Sequence, residues 1–163
     1  MIANLRKIRL LALDVDGILT DCRTFLDSDG EWRRLFSIRD GYGLMRLQEA
    51  GYKVAIITGS KAKDIDERVK VLKIPFFYSG KLDKEPQFQI LMKDSGLKAD
   101  QIAYMGDDIF DIPVLKECGF AATVPDAMEE VIPCVHYITK RPAGNGAVRE
   151  VCELILKHGA HSS

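Results

Sequence analysis

The sequence predicts a doubly wound α/β fold on a mostly parallel sheet, and three observations carry that expectation. Short apolar runs recur along the chain, stretches of helical period separate them, and the polar residues able to do chemistry stand where the apolar runs end.

Leu10 to Leu13 is the first run, and Asp14 and Asp16 follow it directly. Val54 to Thr58, Phe76 to Tyr78, Ile102 to Gly106 and Phe120 to Val124 are the later ones, each short and apolar enough for a strand buried on both faces. Between them, Leu44, Leu47 and Ala50 precede Gly51 at helical spacing. Ile65, Val69 and Leu72 follow the segment TGSKAKD, and Phe88, Leu91, Met92 and Ser95 precede Gly96. A last helix is expected over Ala147 to Lys157. Right-handed crossovers then set the strand C-termini along one edge of the sheet.

The interval from Asp14 to Thr58 is longer than the roughly 30 residues of a βαβ step. Its excess contains TFLDSDGEWRRLFSI, in which DSDG is a turn between two β-prone stretches, so a protruding hairpin is expected over about residues 22–38. Trp32 and Phe36 on this ribbon are read as seeking a partner chain, with a place in the core as the plainer reading.

The chain has 163 residues, 47% of them apolar, which is enough for one substantial core and predicts a single domain over 1–163 with a tail from about residue 140. Lys and Arg total 23 against 24 Asp and Glu, and a net charge of -1 offers no general attraction to nucleic acid or to an acidic membrane. The N-terminal apolar stretch is short and ends in acid, unlike a signal peptide, and no run approaches the roughly 20 residues of a membrane span. Cys22, Cys118, Cys134 and Cys152 lie far apart, which indicates neither zinc nor a disulfide framework and suits a reduced cytoplasm.

Placed on the predicted sheet, the strand ends gather Asp14 and Asp16, then Thr58, then Lys84, then GDDIFD from Gly106 to Asp111. Several carboxylates converging on a phosphate repel one another and call for a hard cation, and Mg2+ is usually held by one or two carboxylates plus a substrate phosphate. Asp14, Asp107 and the backbone carbonyl of Asp16 are the expected ligands. Asp14 is also the expected nucleophile and Asp16 the general acid and base, with Thr58 and Lys84 stabilising the phosphoryl group. Asp108 and Asp111 are read as supporting residues; Asp111 can equally cap a helix that starts near Pro113.

DVDGILT, TG, Lys84 and GDDIFD stand in the order and spacing of the four motifs of haloacid dehalogenase-superfamily phosphatases, which the chain resembles. FSIRDGYG, ERVKVLKI, GKLDK, MGDDIFDIPVL and GNGAVREVCELIL are similar to its 3-deoxy-D-manno-octulosonate 8-phosphate phosphatase subgroup, over nearly the whole chain. The resemblance implies a capless, Mg2+-dependent phosphatase, assembled as a homotetramer whose hairpins close over a neighbour's site. Its substrate would be an acidic eight-carbon sugar phosphate on the route to lipopolysaccharide. Gly59, Lys61, Arg68 and Arg141 become the expected substrate contacts; Arg68 can equally be a solvated ion pair on its helix. Ala143, Cys22 and Ser60 depart from the subgroup's pattern, which bears on the substrate rather than on the reaction.

Three alternatives stay open at this level. One keeps the chemistry and takes a nine-carbon sialic-type acid phosphate. Another is a signalling receiver, also doubly wound with an acidic pocket, a Thr and a Lys. The third is a catalytically silent oligomerisation module. His136 is read as structural, and His158, His161 and the terminal HGAHSS as frayed surface.

Overall fold

The computed structural model describes residues 2–159, so His161 and the end of HGAHSS lie outside the described residues. Helix α1 (Ile2–Leu5) leads into strand β1 (Leu10–Leu13), and the hairpin strands β2 (Phe25–Leu26) and β3 (Trp32–Arg33) follow. Then come α2 (Ile38–Glu49), β4 (Lys53–Thr58), α3 (Lys63–Val71), β5 (Phe76–Ser79) and α4 (Glu85–Ser95). The chain finishes with β6 (Ile102–Met105), α5 (Ile112–Glu117), β7 (Phe120–Thr123), β8 (Tyr137–Ile138) and α6 (Ala147–His158).

Six strands form one parallel sheet in the order β5-β4-β1-β6-β7-β8. The chain leaves β1 toward β4 and β5, then crosses back to start the other half at β6. This reversal beside β1 is where an open α/β sheet leaves a crevice at its strand C-termini. Asp14 is the first residue beyond β1, and its amide donates to the carbonyl of Met105 at 3.0 Å, tying it to the end of β6.

Alternation along the strands builds two cores. Leu11 and Leu13 of β1 join Val54, Ile56 and Met105 against Leu44 and Leu47 of α2, Ile65 and Val69 of α3, and Val148, Val151 and Ile155 of α6. Leu10 and Ala12 face the other way, with Ala55, Ile57, Ile102 and Tyr104, onto Phe88 and Leu91 of α4 and Val114 and Leu115 of α5. β1 is buried on both faces because helices cover both. Its uninterrupted apolar run follows from that.

The expected strands and helices are present, with Gly106 and Val124 falling just past their strand ends. Strand β8 was not expected, because two residues carry no readable period. His136, just before it, accepts a hydrogen bond at Nδ1 from the Ala121 amide at 2.9 Å and stacks on Phe120, which makes it structural. The hairpin is present and leaves Phe25, Leu26 and Trp32 exposed. Phe36 corrects the partner-seeking reading: it packs against the α2–α3–α6 core, beneath the Arg68 guanidinium at 5.6 Å. Ala143, at one of the departures from the subgroup pattern, is 4% exposed within that core. Among the described residues, no helix is long and apolar enough to cross a membrane.

One buried acid joins the segment after the hairpin to the C-terminal helix. Asp40, in the first turn of α2, accepts from the amide of Gly146 at 3.1 Å and from that of Arg149 at 2.8 Å, and it is 0% exposed. It therefore caps α6 from another helix and satisfies donors that would otherwise be orphaned. Asp40→Ala is expected to cost about 2 kcal/mol and to lower the melting temperature by about 4 to 8 °C. An unchanged thermal midpoint by circular dichroism would contradict the cross-helix cap.

Candidate active site

The turn after β1 delivers both members of Asp-x-Asp. Val15 accepts at its carbonyl from the amides of Ile18, Leu19 and Thr20, closing the chain on itself, and Gly17 sits at a φ of 85° inside that turn. A side chain at Gly17 would run into Asp107: its Cβ would lie 1.9 Å from Asp107 Oδ2. Glycine is what lets the β1 turn and the β6 loop approach.

At the floor of the site one ammonium serves two carboxylates. Lys84 Nζ lies 2.8 Å from Asp14 Oδ2 and 2.6 Å from Asp111 Oδ1, and the three side chains are 0% to 4% exposed. Tyr104, fully buried on β6, donates its hydroxyl to the same Asp111 Oδ1 at 2.6 Å. Asp111 Oδ2 accepts from the amides of Asp107 and Asp108 at 3.1 and 3.2 Å. The helix-cap reading of Asp111 is thereby corrected, since its side chain makes no bond to the start of α5. It holds the GDD loop and Lys84 together. Thr123 Oγ1 adds a second tie, donating to the Gly106 carbonyl at 2.6 Å.

Asp14, Asp107 and Asp111 each present an oxygen, and these atoms lie within 4.8 Å of one another. Both oxygens of Asp111 are already taken by donors, whereas Asp107 Oδ1 is buried with no partner at all. A buried carboxylate oxygen without a donor is costly unless a cation meets it. The residues therefore fit a hard divalent ion held by Asp14 and Asp107, with the Asp16 carbonyl from the same turn as the expected third ligand. Without an ion, burial pushes the Asp14 carboxyl up to about 7, against the pull of Lys84, and Asp107 is pushed up to about 8 by burial and by Asp14.

A cavity of about 370 Å³ lies beside the hairpin, and a smaller one of about 280 Å³ opens at the strand ends, lined by Asp14, Asp16, Thr58, Gly59, Ser60, Leu82 and Phe110. The smaller is the candidate site, because it contains the acids and the strand ends meet there. Thr58 Oγ1 accepts from the Ser60 amide at 3.2 Å, which leaves its own proton to donate. Gly59 lines the cavity, where a Cβ would press on Leu82. Cys22, at φ 62°, has its thiol pushed up to about 12 by burial and by Asp107 and Asp16, which makes it a poor nucleophile.

Other expected site residues stand further out. Asp108 accepts from the Ile109 amide at 2.6 Å and belongs to its own turn. Lys61 is exposed, with its side chain laid over Gly80, and Arg141 is exposed beside Gly146. Arg68 lines the larger cavity rather than the smaller one. The solvated ion-pair reading of Arg68 is corrected: its Nη2 donates to the Ser37 carbonyl at 3.0 Å, its Nε is buried without a partner, and burial lowers its pKa.

Arg34, just past β3, was not foreseen. Its Nε and Nη2 donate to Asp16 Oδ1 and Oδ2 at 2.6 and 3.0 Å, and its Nη1 donates to Asp64 at 3.1 Å. The available signal was the Arg33-Arg34 pair, whose side chains must leave a strand on opposite faces. Arg33 pairs with Asp27 within the hairpin, so Arg34 turns into the site.

The sequence profile of the haloacid dehalogenase-like hydrolases matches residues 41–124, and the chain belongs to that family. More narrowly, it is 41% identical over 156 residues to the 3-deoxy-D-manno-octulosonate 8-phosphate phosphatase of Escherichia coli (strain K12), covering 96% of this chain and 83% of that one. The crystal structure of the Moraxella catarrhalis enzyme of the same name, in complex with magnesium, phosphate and a KDO molecule, superposes with a TM-score of 0.94 at 40% identity, covering 99% of this chain and 92% of that one. The cobalt-bound Haemophilus influenzae phosphatase gives 0.91 at 37% identity, over 95% and 91% of the two chains.

The raised carboxyls carry a signed prediction for the cation-free protein. Its folded state binds these protons more tightly than the unfolded chain does, so the added stability is full below the ordinary value of 3.8 and is lost as the pH rises through about 7 and about 8. With chelator present, the melting temperature is expected to fall between about pH 5 and about pH 9, and millimolar Mg2+ is expected to remove most of that slope. A pH profile that Mg2+ leaves unaltered would contradict the cation site.

Proposed function

We propose that the chain is a Mg2+-dependent phosphomonoester hydrolase, acting through an aspartyl-phosphate on 3-deoxy-D-manno-octulosonate 8-phosphate to give the free sugar acid and phosphate. The observation that carries the chemistry is Asp14 held at the end of β1 by Lys84, facing an unpartnered Asp107 oxygen. The substrate assignment is supported by identity to the octulosonate phosphatases over nearly the whole chain.

Asp14 attacks phosphorus, and the bond from phosphorus to the sugar oxygen breaks as Asp16 gives that oxygen a proton. A water then attacks the aspartyl-phosphate, passes its proton to Asp16, and releases phosphate with Asp14 restored. Mg2+, held by Asp14, Asp107 and the Asp16 carbonyl, supplies positive charge against the phosphoryl oxygens. Thr58 donates its hydroxyl to one of those oxygens, and Lys84 offsets charge on both the nucleophile and the phosphoryl group. Asp111 sets the position of Lys84 and the GDD loop, with Asp108 a supporting residue in that loop. Gly59 gives the sugar room at the cavity wall, while Lys61, Arg68 and Arg141 are outer cations that draw the anionic substrate toward the site.

The whole chain is read as one domain. Its four cysteines are free, in keeping with a cytoplasmic protein. A homotetramer is supported by the apolar hairpin face, where Phe25, Leu26, Trp32 and Leu35 are 47% to 70% exposed. By light scattering, Trp32→Glu is expected to break the assembly to smaller species. A wild-type monomer with full activity would contradict the shared arrangement.

Turnover of a panel of sugar-acid phosphates tests the activity. Preference for the eight-carbon ester, dependent on Mg2+ and reduced at least about a thousandfold in Asp14→Asn, is the expected result. Preference for a nine-carbon acid or a neutral hexose phosphate would remove the substrate assignment. A single stoichiometric phosphorylation without turnover would favour a receiver instead.

A further inference from the structure

The Arg34 guanidinium has two distinct edges, and its side chain is only 10% exposed. One edge is anchored. Nη1 donates to Asp64 Oδ1 at 3.1 Å, and the Arg34 amide donates to Asp64 Oδ2 at 2.8 Å. Asp64 is itself buried in the first turn of α3, so this side of the arginine is fixed to the scaffold.

The other edge, Nε and Nη2, is a fork turned toward the active-site cavity. It meets both oxygens of Asp16, and Nη2 also lies 3.3 Å from Ser60 Oγ. Asp16 and Ser60 both line the cavity. Paired bonds of this kind are the geometry in which a guanidinium recognises a carboxylate. The Asp16 side chain is 37% exposed, unlike Asp64 at 7%, so it is the partner that a ligand can replace.

Asp16 is needed elsewhere, since the proposed reaction requires it to face first the leaving oxygen and then a water. In the described arrangement its Oδ1 accepts from Arg34 Nε and from Thr20 Oγ1 at 3.3 Å, and its Oδ2 accepts from Arg34 Nη2. These two uses of the same oxygens compete.

We propose that Arg34 is a specificity-determining residue whose Nε/Nη2 fork exchanges Asp16 for the carboxylate of an acidic sugar phosphate, freeing Asp16 for the reaction when that substrate binds. This deepens the phosphatase reading and rests on it. A neutral sugar phosphate brings only its phosphoryl group, which Asp14, Lys84 and the cation engage, and it leaves Asp16 held. Selectivity for an acid then arises inside the site, from an arginine on the chain's own hairpin.

Wild type, Arg34→Met and Arg34→Lys are compared by kcat/KM on 3-deoxy-D-manno-octulosonate 8-phosphate and on glucose 6-phosphate, two sugar phosphates of which only the first carries a carboxylate. Arg34→Met is expected to lower the acid-to-neutral ratio at least about 30-fold, with the neutral ester hydrolysed faster than by wild type. Arg34→Lys, a point charge without a fork, should give an intermediate ratio, and it carries the test if the methionine variant does not fold. An equal fall on both substrates, or a wild-type ratio in Arg34→Lys, would overturn the inference. Calorimetry with the free sugar acid gives an independent readout: at least about tenfold weaker binding by the variants is expected, and unchanged binding would also overturn it. Variant-sensitive binding of the sugar acid by a wild-type protein that hydrolyses neither ester would sink the phosphatase reading while the carboxylate fork stood.

Discussion

The site is organised around an imbalance of buried charge. Among the described residues Lys84 is the one cation paired with Asp14 and Asp111 within the core, and Asp107 leans against the same cluster without a donor for its Oδ1. Were all three acids ionised, one ammonium would leave two negative charges uncompensated in a region that water barely reaches. Repulsion of that size, on the order of 4 kcal/mol per close pair at an effective dielectric of 20, is not left standing by a stable fold. The cluster resolves it by taking up protons or by taking up a divalent cation. Only the second leaves the Asp14 carboxylate ionised, as the proposed attack requires, so the geometry that makes the cluster costly alone is the same geometry that suits it to a cation.

The rest of the molecule keeps these groups in place. The switch point beside β1 sets Asp14 between the ends of β4 and β6, Tyr104 and the GDD amides saturate Asp111, and Gly17 lets Asp107 approach the first turn. Asp64 of α3 holds the hairpin through Arg34, and Asp40 of α2 ties this half of the fold to α6 in the other. Because Arg34 belongs to the hairpin and touches Asp16, whatever settles the hairpin also settles Asp16, the proposed acid-base group. In a shared assembly, that would place a packing event and a catalytic one on the same ribbon.

Much of this was legible in the sequence because buried parallel strands leave plain signatures. LLAL, VAIIT and IAYM are short, apolar and followed by acids or a hydroxyl, so both the sheet and the gathering of Asp14, Thr58 and Asp107 could be read from spacing. Strand β8 could not, since two residues have no period. For Asp111 the sequence left a helix cap open beside a supporting role, because a carboxylate before a helix is ordinarily its cap, whereas here a buried Lys and Tyr from two other elements claim it. The partner-seeking reading of Phe36 and the ion-pair reading of Arg68 failed for a related reason: an aromatic ring lying beneath a guanidinium from a distant helix has no local pattern in the chain. The Arg34–Asp16 pair spans a hairpin whose direction the sequence does not specify. Contacts of that kind are decided by how loops fall across the sheet edge, after the sheet itself is settled.

In the proposed mechanism a divalent cation joins Asp14 and Asp107 and leaves Asp14 free to bond to phosphorus. A crystal structure of the protein soaked with Mg2+ and beryllium fluoride, a mimic of a bound phosphoryl group, decides whether it does. Beryllium is expected on an Asp14 oxygen, with Mg2+ on Asp14, Asp107 and the Asp16 carbonyl, and Asp111 still engaged with Lys84 and Tyr104. Beryllium fluoride bound away from Asp14, or Mg2+ seated on Asp111 with Asp107 still unpartnered, would contradict it.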